Sequence, residues 1–323
     1  MFRNVLVPLD GSPLAEQAVP QASAIARAAG AGVHLILVHH RVPISGFEHL
    51  PLDDFVERDE AEYLGGIARE LMSGASIPVT WDTCCGDPSE VICGYVREAE
   101  VDLVVMTTHG RTGLSRAWMG STADRVLRQS SVPVLMLHPI RSSLRARAAR
   151  HLFKTILVPV DGSPLSDEIL TAAVALAQCG DARLVLLSVV QPVPMILPEA
   201  VAADAYAPMV ADGDATERVA ARARAELGAK ARKLREQRVD CVGYVVIADH
   251  VARAILDAAG RHEADAIAMS THGRGASRVL MGSVTDKVLR ASDLPMLLLR
   301  PAGRVEPLHR PRADADGALV SAG

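Results

Sequence analysis

Aromatic residues make up only 3% of this 323-residue chain, so its interior has to be built from Ala, Val, Leu and Ile. Cysteine is scarce as well. Cys84, Cys85, Cys93, Cys179 and Cys241 are odd in number and lack Cys-x-x-Cys spacing, which argues against a disulfide framework and against a structural zinc site. There is no Gly-x4-Gly-Lys-(Ser/Thr) phosphate loop, no Gly-x-Gly-x-x-Gly after the first strand and no His-Glu-x-x-His. These absences weigh against a Walker-type ATPase, a dinucleotide-binding fold and a zinc protease. No apolar run approaches the ~20 residues of a membrane-spanning helix. No charged-then-apolar leader precedes Val5-Leu-Val-Pro8, so the cytoplasm is the expected compartment. A net charge of −4 gives no basic excess for nucleic acid or an anionic membrane surface, and neither is an expected partner.

What is present is a long internal repeat, with 49% hydrophobic residues to build two cores. Val5-Leu-Val-Pro-Leu-Asp-Gly-Ser-Pro-Leu14 returns as Ile156-Leu-Val-Pro-Val-Asp-Gly-Ser-Pro-Leu165, at an offset of 151. Met106-Thr-Thr-His-Gly-Arg-Thr-Gly-Leu-Ser-Arg-Ala-Trp-Met-Gly-Ser121 returns as Met269-Ser-Thr-His-Gly-Arg-Gly-Ala-Ser-Arg-Val-Leu-Met-Gly-Ser283. The closing runs Val132–Leu137 and Leu294–Leu299 match too. The reading is a duplicated domain: 1–140 and 152–300, a basic connector 141–151, and a tail 301–323 expected to be disordered.

Within the first half the apolar period alternates between strand-like and helix-like. Strands are expected at Val5–Leu9, Val33–Val38, Val79–Thr83, Leu103–Met106 and Val134–Leu137. Helices are expected at Ala15–Ala29, about Asp53–Met72, Glu90–Glu98 and Thr122–Gln129, and the second half repeats the order with a helix near Thr216–Gln237. The basic residues of that last helix are interleaved with Glu217, Glu226 and Glu236, which reads as a solvated face. Alternation with short loops implies an open parallel sheet with helices on both faces. Ligands of such sheets bind beyond the carboxyl ends of the strands.

Three segments meet there: the end of strand one at Asp10 or Asp161, the end of strand two at His39-His40 or Ser188-Val189, and the glycine-bearing loop after strand four. A Gly-Ser at a helix start aims backbone N–H groups and the helix dipole at an anion. The same residues also suit a plain turn with a serine N-cap, but two copies in matching places favour a binding loop. Asp10 and Asp161 at strand ends suit a vicinal diol, yet Asp-Gly is also a strong turn former.

This ordered set of motifs resembles the universal stress protein family over residues 2–138 and 152–300. The resemblance implies two tandem Rossmann-like domains of the adenine-nucleotide-hydrolase-like group, each an open five-stranded parallel sheet. It implies ATP, with Mg²⁺, as the cofactor. The nucleotide-binding members carry Gly-x2-Gly-x9-Gly-(Ser/Thr). Here Gly110 is followed by nine residues and then Gly120-Ser121, so that span is kept; Thr107 replaces the leading glycine. In the second half Ser270 replaces it, and only eight residues separate Gly273 from Gly282-Ser283. By resemblance Asp10 and Asp161 face the ribose, the backbone at His40 and Val189 reads the adenine edge, and the glycine loops hold the phosphates. The implied set also takes in Pro8, Leu9, Met106, His109, Arg111, Thr122, Pro159, Val160, Met269, Arg274 and Val284.

His109 and His272 invite a general-base role, but the sequence offers no nucleophile or carboxylate partner, so loop packing is the favoured reading. His39 and His40, as neighbours on a strand, point to opposite faces and do not make a metal site. The leading expectation is therefore a nucleotide-binding regulatory protein with slow or no hydrolysis. The alternative is a nucleotide-independent interaction module. The apolar closing strands Val134–Leu137 and Met296–Leu299 would each lie at a sheet edge, so they are expected to pair with each other or with a second chain. A homodimer of the whole chain stays open.

Overall fold

The computed structural model describes residues 1–39, 52–74, 77–109, 119–138, 152–195, 211–271 and 281–300, with side chains of the 52–74 segment from 58 onward. In the first half the strands are β1 (Asn4–Leu9), β2 (Gly32–His39), β3 (Val79–Cys85), β4 (Leu103–Thr107) and β5 (Val134–Leu137). Helices α1 (Ala18–Ala29), α2 (Leu52–Gly74), α3 (Pro88–Glu98) and α4 (Ser121–Gln129) alternate with them. The second half repeats the order with β6 (Thr155–Pro159), α5 (Pro164–Gly180), β7 (Arg183–Val190), α6 (Gly213–Glu236), β8 (Cys241–Ile247), α7 (Val251–Arg261), β9 (Ala266–Ser270), α8 (Ser283–Ala291) and β10 (Met296–Leu299). The connector 141–151 and the tail 301–323 lie outside the described residues.

Each half is an open parallel sheet, and the two join into one sheet of ten strands in the order β3-β2-β1-β4-β5-β10-β9-β6-β7-β8. The join is antiparallel: Met136 faces Met296, Leu135 faces Leu297, and Val134 faces Leu298. The two closing strands do pair with each other. Burying them in one seam removes two apolar edges at once. Because β4 and β5 run parallel while β5 and β10 run antiparallel, the two halves send their strand carboxyl ends to opposite rims of the sheet.

Continuous apolar strands are what a sheet covered on both faces requires. Val5, Val7, Leu35 and Leu135 enter one core with α1, α2, α5 and α6, while Leu6, Ile36, Val104 and Met136 enter the other with α3, α4, α7 and α8. Neighbouring residues of one strand thus serve opposite layers. Asp102 fixes the start of β1 by accepting the Arg3 and Asn4 N–H groups at 2.7 and 3.2 Å, and Asp265 does the same for Lys154 and Thr155 at 2.8 and 3.1 Å.

Small departures from the expected elements have local causes. Ala15–Gln17 forms a 3₁₀ turn before α1 instead of one long helix, with the Ser12 hydroxyl accepting the Ala15 N–H at 3.1 Å. Strand β3 runs on to Cys85 because its pairing with β2 continues to the His39–Cys85 pair. The charged face of α6 is exposed and internally paired, Arg222 with Glu226 and Arg224 with Glu217, in keeping with a solvated helix.

Candidate functional site

Strand β1 leads into Asp10, where Gly11 takes a φ of +76° that a side-chain-bearing residue rarely adopts. The turn is closed by the Asp10 carboxylate, whose Oδ1 accepts the Ser12 N–H at 3.0 Å. Asp161, Gly162 (φ +78°) and Ser163 repeat it, with the Ser163 N–H on Asp161 Oδ1 at 2.9 Å. One oxygen of each candidate ribose ligand is therefore engaged in shaping its own loop.

Beside it, β4 ends at Thr107, which is buried and donates its hydroxyl to the His109 carbonyl at 2.8 Å. The Thr108 N–H donates to the Leu137 carbonyl at 2.9 Å, and the Thr108 carbonyl accepts the Gly120 N–H at 2.8 Å. The two ends of the glycine loop are thus tied together at its base. In the second half Thr271 bonds to Leu299 at 2.8 Å and Gly282 bonds to Thr271 at 2.7 Å. A Cβ on Gly120 would lie 3.2 Å from the Thr108 oxygen, closer than the site accommodates without a shift.

Gly120 and Gly282 are the N-caps of α4 and α8, and neither helix start has a side-chain cap. This corrects the serine-cap reading of Ser121 and Ser283. Both serines occupy the first helical turn and are exposed, which turns their hydroxyls outward. The first intrahelical bond of α4 runs from the Asp124 N–H to the Gly120 carbonyl, leaving the N–H groups of Ser121, Thr122 and Ala123 without an acceptor among the described residues.

A row of imidazoles lies along the same rim. His39 ends β2 and pairs through Nδ1 with Glu60 of α2 at 2.9 Å. His109 follows β4 and contacts the Thr108 hydroxyl through Nδ1 at 3.0 Å. His138 follows β5; burial pushes its pKa below the ordinary 6.5, Asp293 opposes the shift and His109 adds to it. In all three the Nε2 atom is buried and lacks a hydrogen-bond partner among the described residues. Strand register puts Val190 at the place of His39 and Arg300 at the place of His138, so of the three imidazoles only His109 recurs in the second half, as His272.

A model of the universal stress protein family matches residues 1–138 and 152–300. The chain belongs to that family. It is similar to a universal stress protein of Methanocaldococcus jannaschii, 28% identical over 143 residues that cover 42% of this chain and 82% of the relative. A Mycobacterium tuberculosis universal stress protein is 28% identical over 203 residues, 62% of each chain. Among solved structures, a universal stress protein from Archaeoglobus fulgidus superposes with a TM-score of 0.68 at 20% identity, covering 92% of this chain and 98% of that one. A putative universal stress protein from Pseudomonas aeruginosa gives 0.59 at 18% identity, covering 93% and 94%.

In this universal stress protein, Pro8, Leu9 and Asp10 sit at the end of β1, Met106, Thr107 and His109 at the end of β4, and Gly120, Ser121 and Thr122 at the start of α4. All stand on one rim, because β1 and β4 are parallel neighbours. Pro159, Val160 and Asp161, Met269 and Ser270, and Gly282, Ser283 and Val284 occupy the corresponding places on the opposite rim. Gly110, Arg111, Gly273, Arg274, His272 and His40 lie outside the described residues.

Val189 needs a correction. The offset of 151 holds without a gap through β2 and β7, since Pro8 pairs with Ile36 and Pro159 with Leu187. Val189 therefore matches Val38, packing beneath the rim, and the counterpart of His40 is Gln191. His138 was missed by sequence reasoning. Its signal was a polar residue directly after the apolar run Val134–Leu137, one position beyond the closing strand. Among the described residues no helix is long and apolar enough to cross a membrane, and no group of three or more His, Cys, Asp or Glu side chains could hold a metal ion.

Proposed function

We propose that the chain binds an adenine nucleotide, ATP in its Mg²⁺ form, at the carboxyl rim of the first half, and acts as a regulatory stress protein with little or no hydrolysis. The observation that carries this reading is the start of α4. Its N-cap is a glycine held against Thr108, it has no side-chain cap, and its first-turn N–H groups lack an acceptor among the described residues. Such a helix start favours an oxygen-rich anion through both its N–H groups and its dipole. The exposed Ser121 and the half-buried Thr122 add two hydroxyls at the same place.

The residues fit a nucleotide brought together with its own cation. Mg²⁺ is commonly held by phosphate oxygens, water and at most one or two carboxylates. That suits a rim where the described residues form no metal cluster of their own. The orphaned Nε2 atoms of His39, His109 and His138 further favour a polar ligand here, since buried groups of this kind normally have partners.

The first half is the stronger site. Its Ser121-Thr122 pair is Ser283-Val284 in the second half, and of the three imidazoles only His109 has a counterpart there, His272, while His39 and His138 become Val190 and Arg300. Calorimetric titration of the full chain with Mg-ATP is expected to give one dominant site that Gly120→Val abolishes and Gly282→Val leaves intact. Absence of binding at millimolar ATP, with no nucleotide retained in native mass spectra, would overturn the proposal. That outcome would favour the interaction-module reading, which the turn-forming role of Asp10 and Asp161 supports.

A further inference from the structure

The ten-stranded sheet ends in β3 on one side and β8 on the other, and these two edges differ in a way that selects one of them. In β8 the Leu184 N–H donates to the Asp240 carbonyl and the Ala248 N–H to the Val190 carbonyl, so even-numbered residues bond to β7. The backbone groups of Cys241, Gly243, Val245 and Ile247 therefore point away from the sheet. Arg235 already donates to the Cys241 carbonyl at 2.8 Å. Gly243, Val245 and Ile247 keep an open row of three N–H and three C=O groups, with no strand beyond them among the described residues. No Lys, Pro or acidic side chain interrupts Cys241–Ile247, and Tyr244 and Ile247 are each 43% exposed. An edge of this composition lacks the devices that keep sheet edges apart.

We infer that β8 pairs antiparallel with β8 of a second copy, about a two-fold axis through Val245. That register follows from the open row. Centred on Val245, each Val245 bonds to its twin and each Gly243 bonds to Ile247 of the other copy, so all six groups on each chain are satisfied. A shift by two residues would set Ile247 against Cys241, whose carbonyl Arg235 occupies. The same register sets the exposed Ile247 beside Gly243, where Leu227 of α6 offers it an apolar neighbour. It also places Tyr244 opposite Val246, an aromatic and β-branched pair of the kind that stabilises sheets. Asp249 then arrives at the Cys241 end of the other chain, beside the exposed Arg235.

The opposite edge is protected against this. In β3 the even residues bond to β2, since the Val33 N–H donates to the Pro78 carbonyl and the Gly86 N–H to the His39 carbonyl. Pairing all its open groups with a second β3 requires a two-fold through Asp82. That puts two carboxylates directly opposite each other at the closest spacing in the ladder, and like charges so placed are destabilising. The Asp82 side chain is 57% exposed and would face its twin.

Solution mass tests the proposal. Sedimentation of the full chain at sub-millimolar concentration should show a species of twice 34.3 kDa. Val245→Pro removes only an outward N–H and should weaken the dimer about tenfold or more. Tyr244→Lys, at an exposed position, should weaken it too, while circular dichroism shows the fold intact. Trp81→Pro, the matching change on the β3 edge, should leave the dimer constant unchanged. Oxidation of Val245→Cys should trap a covalent dimer across the two-fold, because directly opposed residues there have Cα atoms about 5.5 Å apart, within disulfide reach. A monomer at every concentration, a dimer untouched by both β8 variants, or a dimer lost on Trp81→Pro would each overturn the proposal.

Discussion

The Gly120 N–H donates to the Thr108 carbonyl at 2.8 Å, and the same oxygen stands 3.2 Å from where a Gly120 side chain would begin. One glycine both closes the loop and starts the helix. Gly120→Ala should lower stability by about 1 kcal/mol, and Gly120→Val by more, because the neighbour in the way is backbone. Thermal melting of the two variants beside wild type checks the order. Equal melting temperatures would show that the loop base yields freely.

Leu135 and Leu297 face each other across the seam, and both are fully buried. Leu135→Ala and Leu297→Ala should each destabilise by about 2–5 kcal/mol. The double variant should fall short of, or exceed, the sum by about 0.5 kcal/mol or more, because the two side chains share one packing site. Denaturant unfolding of the full set measures this coupling, and strict additivity would contradict the seam.

Acid should weaken the fold through two imidazoles. Burial lowers the pKa of His34, against the opposing pull of Asp82, and lowers that of His138 against Asp293. The unfolded chain then binds protons that the folded chain resists, so stability is full above the ordinary value near 6.5 and declines as pH falls below it. Melting temperature should drop between about pH 7.5 and pH 5.5. The drop should be shallower in His138→Gln.

The thiols should separate by accessibility. Cys85 is exposed, whereas Cys93, Cys179 and Cys241 are buried. Burial raises the pKa of each buried thiol, that of Cys241 to about 11. Cys84 is also raised, by burial and by Asp82. A thiol-reactive dye at neutral pH should modify one cysteine per chain rapidly, and Cys85→Ser should abolish that fast phase.

Most of this architecture was legible because the strands are covered on both faces and so announce themselves as unbroken apolar runs, residues 103–106 and 266–269 above all. The seam was legible for a related reason, since two apolar strands at two edges had to be hidden somewhere. What the sequence hid depended on geometry finer than composition. Serine beside glycine suits a cap, and only the backbone angles assign that place to Gly120 and Gly282. The match of Val189 to His40 slipped by two residues because strand ends carry no marker of their own, and only the β6–β7 register fixed it. His138 could not be joined to His109 until β5 lay beside β4.

The antiparallel seam has a consequence for any partner. A half-turn about it exchanges Gly120 with Gly282 and Asp10 with Asp161, but it does not exchange His39 or His138 with another imidazole. The two rims therefore share one arrangement of described strands and helices while carrying different chemistry. A partner that reads only the elements common to both rims meets them alike; one that reads the His39 and His138 imidazoles can dock at only one.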